Sequence, residues 1–257
     1  METGAITGYI DVAQLALYAF WVFFAGLIYY LLQENKREGY PLESDRSAHI
    51  TVQGWPPIPA PKTYKLQHGG TRTVPNDFKS PQKLAAEPIG NWPGAPLQPT
   101  NANPMLDGVG PGAWADRPDV PDMTYEGTLR IVPLRADAAF DVSPHDPDPR
   151  GMQVVGADGE VGGTVMDLWV DRSEMLFRYL EVEVSTDGGG RRVLLPMNFT
   201  RVGNSQVKVK SILGKHFAQV PGTANADAVT LLEEEKIMAY YGAGTLYATP
   251  ERQEPLI

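Results

Sequence analysis

VAQLALYAFWVFFAGLIYYLL, Val12 to Leu32, carries no charged side chain and only Gln14 as a strongly polar one. As a helix rising ~1.5 Å per residue it spans roughly 30 Å, the hydrocarbon thickness of a bilayer. It is apolar all round, where a helix on a soluble core would keep a polar face. A cleaved signal peptide would need basic residues before a shorter apolar run and small residues after it. Here Glu2 and Asp11 precede the run and Gln33-Glu34-Asn35-Lys36-Arg37 follow it, so the reading is an uncleaved transmembrane helix over 12–32. No Lys or Arg lies before the span, whereas Lys36 and Arg37 lie just after it. Basic residues stay on the cytoplasmic side, which predicts a periplasmic N-terminus (1–11) and a cytoplasmic remainder. Tyr29 and Tyr30 suit the cytoplasmic interface, and Gly26 would let a neighbouring helix approach closely.

Beyond the span the composition is that of a water-soluble chain with net charge −9. The acidic balance argues against a nucleic-acid partner. With no Cys, disulfides, thiolate metal ligands and thiol catalysis are excluded. Of 23 prolines, 19 fall between Pro41 and Pro149. Proline fixes φ and donates no backbone hydrogen bond, which disfavours long helices and central strands. Trp55, Tyr64, Trp92, Trp114 and Tyr125 are interspersed, so residues 33–149 read as an extended, ordered segment lying against a surface rather than a free linker. Within it, Lys62–Leu66 and Thr71–Pro75 read as a hairpin around His68-Gly69-Gly70.

From residue 150 to 257 the pattern becomes a small antiparallel barrel with a C-terminal helix. MQVVGADGEVGGTVMDLWVD gives two strands about a turn at Asp158-Gly159, and RYLEVEVSTDGGGRRVLLPM gives a hairpin turning at Asp187–Gly190. SQVKVKSI alternates as a half-buried strand. TLLEEEKIMAYYG, Thr230 to Gly242, reads as a helix capped by Thr230 with Glu233 three residues on, and ended by Gly242.

Hydrolase, nucleotide-loop, dinucleotide and zinc-protease motifs are missing. His49, His68, His145 and His216 lack metal-ligand spacing. The glycines before Arg191 and Arg192 suit a hairpin turn better than an anion cradle. One constellation stands out. LWVDRSEMLFRYLEVEV places Asp171, Glu174 and Arg178 about a turn between apolar strands. Carboxylates beside apolar surface titrate nearer neutrality, and a cation holds the rest ionised, which suits a proton relay. A solvated charged loop accounts for the same residues.

The span followed by REGYPLE (Arg37–Glu43), then PKTYKLQHGGTRTVP (Pro61–Pro75), DGVGPGAW (Asp107–Trp114), VMDLWVDRSE (Val165–Glu174), RYLEVEV (Arg178–Val184), TLLEEEK (Thr230–Lys236) and LYATPER (Leu246–Arg252), resembles the H subunit of the purple-bacterial photosynthetic reaction centre. The resemblance covers nearly the whole chain, and its barrel resembles the PRC barrel. It implies a non-catalytic subunit of the bacterial inner, intracytoplasmic membrane that binds no cofactor by itself. Bacteriochlorophyll, bacteriopheophytin, quinones, non-haem iron and carotenoid would sit in partner subunits. The implied partners are the L and M subunits, light-harvesting antenna polypeptides and membrane lipids, and a cytochrome subunit is left open. The resemblance further implies that the chain caps the cytoplasmic face of L and M and assists proton delivery to the secondary quinone. In that role Asp171 and Glu174 match the family's acidic pair and Arg178 its neighbouring basic residue. Where some members carry two histidines and an aspartate at the proton entry, this chain reads Thr124-Tyr125-Glu126-Gly127-Thr128. Only Glu126 could take a proton there, and no histidine-based metal site is expected. The rival from another class is a membrane-tethered adaptor barrel that moves no protons. The missing motifs count against a membrane-anchored enzyme.

Overall fold

The computed structural model describes residues 4–40, 54–67, 69–75, 84–92, 95–186 and 189–253. His49, His68, the Pro41–Glu43 end of REGYPLE, and Asp187 with Gly188 of the expected turn lie outside the described residues. The chain divides into two units, 1–83 with 91–95, and 84–90 with 96–257.

In the first unit, Asp11 caps helix α1 (Val12–Arg37) by accepting from the Gln14 N–H at 2.7 Å. The apolar residues of α1 are exposed, and the helix is long and apolar enough to cross a membrane. It runs past Leu32 to Arg37 because its charged last turn has work to do in the returning chain. Lys36 Nζ donates to the carbonyls of Gly54 (2.7 Å) and Pro56, and the buried Arg37 donates to Glu34 (3.1 Å) and to the carbonyl of Ala60. Lys62 closes the group on Glu34 at 2.5 Å. These cations also complement the negative end of the helix dipole. Strands β1 (Lys62–Lys65) and β2 (Thr71–Val74) then form the expected hairpin, pairing Lys62 with Val74 and Lys65 with Thr71.

The second unit opens with the short pair β3 (Ala86–Pro88) and β4 (Leu97–Pro99). Two 3-10 turns follow, at Pro104–Leu106 and Gly110–Gly112, packed against the last helix. The main sheet contains β5 (Ile131–Pro133), β6 (Gln153–Val155), β7 (Val161–Asp171), β8 (Leu176–Thr186), β9 (Gly189–Pro196), β10 (Thr200–Val202) and β11 (Gln206–Val209). Its order is β10-β11-β6-β7-β8-β9, with β5 pairing the far end of β7. The sheet therefore reaches back across residue 150 into the proline-rich stretch. Irregular registers at Val165/Asp167 and Trp169/Val170 bend the long β7–β8 ribbon.

The expected fold class holds, with two differences of detail from a closed antiparallel barrel. Strand β11 pairs with β6 in parallel. The sheet is also not closed, since no ladder joins its end strands β9 and β10 among the described residues. Those two strands are nonetheless consecutive, separated only by Met197–Phe199. The chain itself brings the two ends of the curled sheet together.

Helix α2 (Leu231–Tyr247) has the predicted capping box. The Glu233 N–H donates to Thr230 Oγ1 at 3.1 Å, and the Thr230 N–H donates to Glu233 at 2.9 Å. The helix does not stop at Gly242, and that expectation is corrected by packing. A Cβ at Gly242 would lie 2.7 Å from the Pro111 carbonyl, and one at Gly244 would lie 2.4 Å from Ile212 Cγ2. Both glycines let the backbone approach its neighbours closely in mid-helix, and neither is a left-handed terminator. Ile237, Tyr240, Tyr241 and Ala243 join Trp169, Tyr179, Leu180, Leu195 and Phe217 in one core.

Candidate functional site

Asp171 ends β7 and pairs across the ladder with Ile131 of β5. It is only 1% exposed. Its Oδ1 accepts the N–H groups of Ser173 and Glu174, each at 3.0 Å, fixing the turn into β8. Arg130, beside β5, points its guanidinium at the same place. Nε lies 3.1 and 3.0 Å from the two Asp171 oxygens, Nη2 is 2.6 Å from Glu174, and Nη1 is 3.1 Å from Asp122. Burial alone would push the Asp171 carboxyl up. Arg130 and the two backbone donors outweigh it and hold the group below its ordinary value. Asp171 therefore behaves as a negative charge held ionised by an adjacent cation.

Glu174 is half exposed on the turn. The next residue, Met175, has φ +54° and is 77% exposed. A non-glycine in that region costs about 1–2 kcal/mol, a strain tolerated where the turn must present its side chains in one direction.

Arg178 lies on β8, 3.8 Å from Glu174 and 4.0 Å from Glu234. A second cation, Arg130, pairs with both Asp171 and Glu174, and sequence reasoning missed it. Glu234 of α2 was missed as well. It accepts the phenol O–H of buried Tyr179 at 2.6 Å. Burial is the largest influence on Glu234 and pushes its carboxyl up, only partly offset by the Tyr179 hydrogen bond and Arg178. Tyr179 is in turn pushed well above its ordinary range by burial and by the adjacent Glu234.

Asp122, Arg130, Asp171, Glu174, Arg178 and Glu234 all line one open cleft of about 760 Å³. Its apolar walls include Leu176, Phe177 and Met238. Chemically, the cleft holds three cations (Arg117, Arg130 and Arg178), a carboxylate held ionised (Asp171), an accessible one (Glu174) and a carboxyl inclined to keep its proton (Glu234), with Asp122 and Glu235 beside them. Glu126 is not part of it. It sits exposed at the tip of a hairpin closed by the Met123–Leu129 bridge. The base of that hairpin supplies Asp122 and Arg130, joined by the Arg130 N–H to Asp122 carbonyl bond at 2.9 Å.

The segments that build this site coincide with two known families. The model described as "Photosynthetic reaction centre, H-chain N-terminal region" matches residues 4–136, which hold α1, β5 and Arg130. The PRC-barrel domain matches residues 145–215, which hold Asp171, Glu174 and Arg178. The first match alone covers just over half of the 257 residues, and with the exposed apolar helix and the barrel-type sheet it identifies the chain as a member of the photosynthetic reaction-centre H-chain family.

Proposed function

We propose that this chain covers the cytoplasmic face of the L and M subunits and that the Arg130–Asp171–Glu174–Glu234 cleft assists proton delivery to the secondary quinone. Membership of the family makes it a non-enzymatic, membrane-associated subunit whose cofactors sit in partner subunits. The remaining steps are our reading. The N-terminus is periplasmic and residues after about Lys36 are cytoplasmic, in the bacterial inner membrane. The L and M subunits are the primary partners, and antenna polypeptides and lipids contact the helix.

The observation that carries the proton role is the division of labour in the cleft. Asp171 stays ionised beside Arg130, while buried Glu234 favours its proton and Glu174 remains open to solvent. A relay needs groups of unequal proton affinity within reach of water. Glu126, at the tip of the hairpin that delivers Arg130, is the outer acceptor in this scheme. Arg178 sets the potential between Glu174 and Glu234. In purified complexes, Glu174→Gln is expected to slow the second, proton-coupled electron transfer to the secondary quinone, more so at high pH. Primary charge separation is expected to be unchanged. Unaltered second-electron kinetics across pH in an intact complex, in the Asp171→Asn/Glu174→Gln double variant as well, would remove the proton role.

The alternative, a static cap that moves no protons, draws on the closure of the Arg130–Asp171 pair. A cation already satisfied by three carboxylates fits a structural clamp equally well. The same kinetics separate the two readings.

A further inference from the structure

The chain is strongly acidic, yet one surface concentrates positive charge that forms no ion pair among the described residues. In the β10–β11 ladder, Arg201 stands directly opposite Lys208. Directly opposed side chains share a face of the sheet, and like charges in that position are destabilising. Val207 and Val209 turn into the core, so Lys208 and Lys210 emerge together on the outer side. Arg252 approaches the same place. Its Nη1 donates to the carbonyls of Ser211 (2.6 Å) and Gly244 (2.5 Å), and its Nη2 donates to that of Lys210 (2.9 Å). These contacts orient the guanidinium without neutralising it.

All four cations line a second open cleft of about 940 Å³, with Asn198, Asn204, Ser205 and Gln206 as polar neighbours. No Asp or Glu contributes to its wall, and none of the four forms an ion pair among the described residues. Ser211 lines it too. That residue is 5% exposed, and its hydroxyl is buried with no hydrogen-bond partner. A buried hydroxyl without a partner is costly. Four cations gathered on one wall, with no carboxylate between them among the described residues, suit something anionic.

We propose that this cleft binds a phosphoryl anion, carried either by a soluble phosphate compound or by a lipid headgroup. A phosphoryl group brings one negative charge as a diester, as in a lipid headgroup, or close to two as a monoester, together with several acceptor oxygens. That matches an arginine fork flanked by lysines better than a single carboxylate does.

The test uses the full-length chain in a neutral detergent at low salt. Inorganic pyrophosphate and a short-chain phosphatidylglycerol, kept below its micelle-forming concentration, are titrated separately by calorimetry. Saturable binding is expected, weakened about tenfold or more in Lys208→Gln/Lys210→Gln, because each charge-assisted contact to phosphate is worth roughly one order of magnitude in affinity. Binding of pyrophosphate alone assigns the soluble source, and binding of the phospholipid as well assigns the headgroup. Thermal unfolding supplies a readout that a structural role would not mimic. Lys208→Gln relieves the opposition to Arg201 and is expected to melt higher than the parent without ligand, yet to lose the ligand-induced rise. No saturable binding of either probe, undiminished binding in the double variant, or saturable binding of a glutamate oligopeptide where both phosphoryl probes fail would overturn the proposal.

Discussion

Arg130 meets Asp171 through a single guanidine nitrogen that reaches both carboxylate oxygens, at 3.1 and 3.0 Å, across 41 residues of chain. Asp171→Asn keeps an acceptor for the Ser173 and Glu174 N–H groups but removes the charge that Arg130 was placed to meet. The expected loss is about 1.5–3 kcal/mol of unfolding free energy at neutral pH. Because the folded-state carboxyl is held below its ordinary value of 3.8, this contribution is present above about that pH and is lost as pH falls through the lower folded value. Urea unfolding of parent and variant at neutral and acidic pH measures it. A difference that persists undiminished in acid would contradict the pairing.

Glu234→Gln is expected to act in the opposite direction. Burial raises the Glu234 carboxyl above its ordinary value of 4.5, so the folded protein retains a proton that the unfolded chain gives up. Its contribution to stability is complete below about pH 4.5 and falls as pH rises through the raised value. Glutamine can still accept from Tyr179 but carries no charge to bury. The variant should match the parent in mild acid and be more stable than it in mild alkali. Equal stability in mild alkali would mean that burial imposes no penalty on this carboxylate.

Gly244→Ala should destabilise the protein by about 1–3 kcal/mol through overpacking, although alanine is the better helix former by about 1 kcal/mol. The added methyl would sit 2.4 Å from Ile212 Cγ2 and 2.6 Å from the Ser211 carbonyl. A rise in the unfolding midpoint would show that the contact gives way easily.

Gly26 presents an open flank of α1, with nothing within 4 Å of a would-be Cβ. Gly26→Leu is expected to leave helix content unchanged and to lower the yield of assembled complex, because small residues let membrane helices approach one another. Gly26→Ala should fall between the two. Full assembly with leucine would place the partner elsewhere on the helix.

Local patterns carried most of the fold. Alternation in β11, the turn at Asp158-Gly159 between β6 and β7 and the Thr230–Glu233 cap were legible because each is settled by residues within a few positions of one another. Gly242 misled because a glycine that ends a helix and one that admits a neighbouring carbonyl look alike until that neighbour is known. The site was half legible for the same reason. Asp171 and Glu174 share a turn, but Arg130 arrives from the residue before a separate strand, β5. Glu234 was hidden among Glu233, Glu234 and Glu235, which take three directions on the helix. Glu233 closes the cap, Glu234 meets Tyr179, and Glu235 pairs with Arg117 at 2.8 Å. Successive helical residues point about 100° apart, so one letter repeated three times encodes three environments.

Strand β5 belongs to the segment matched by the H-chain family, and β7, its partner, to the segment matched by the PRC barrel. The junction that looks like a seam between modules is thus crossed by a ladder and by the Arg130–Asp171 ion pair. A barrel exchanged between relatives at that junction would arrive with the last three residues of β7 bared along an unsatisfied edge and with a buried aspartate lacking its cation. The two segments are thus energetically coupled across the junction, and a substitution at 130 or at 171 alone is expected to weaken both.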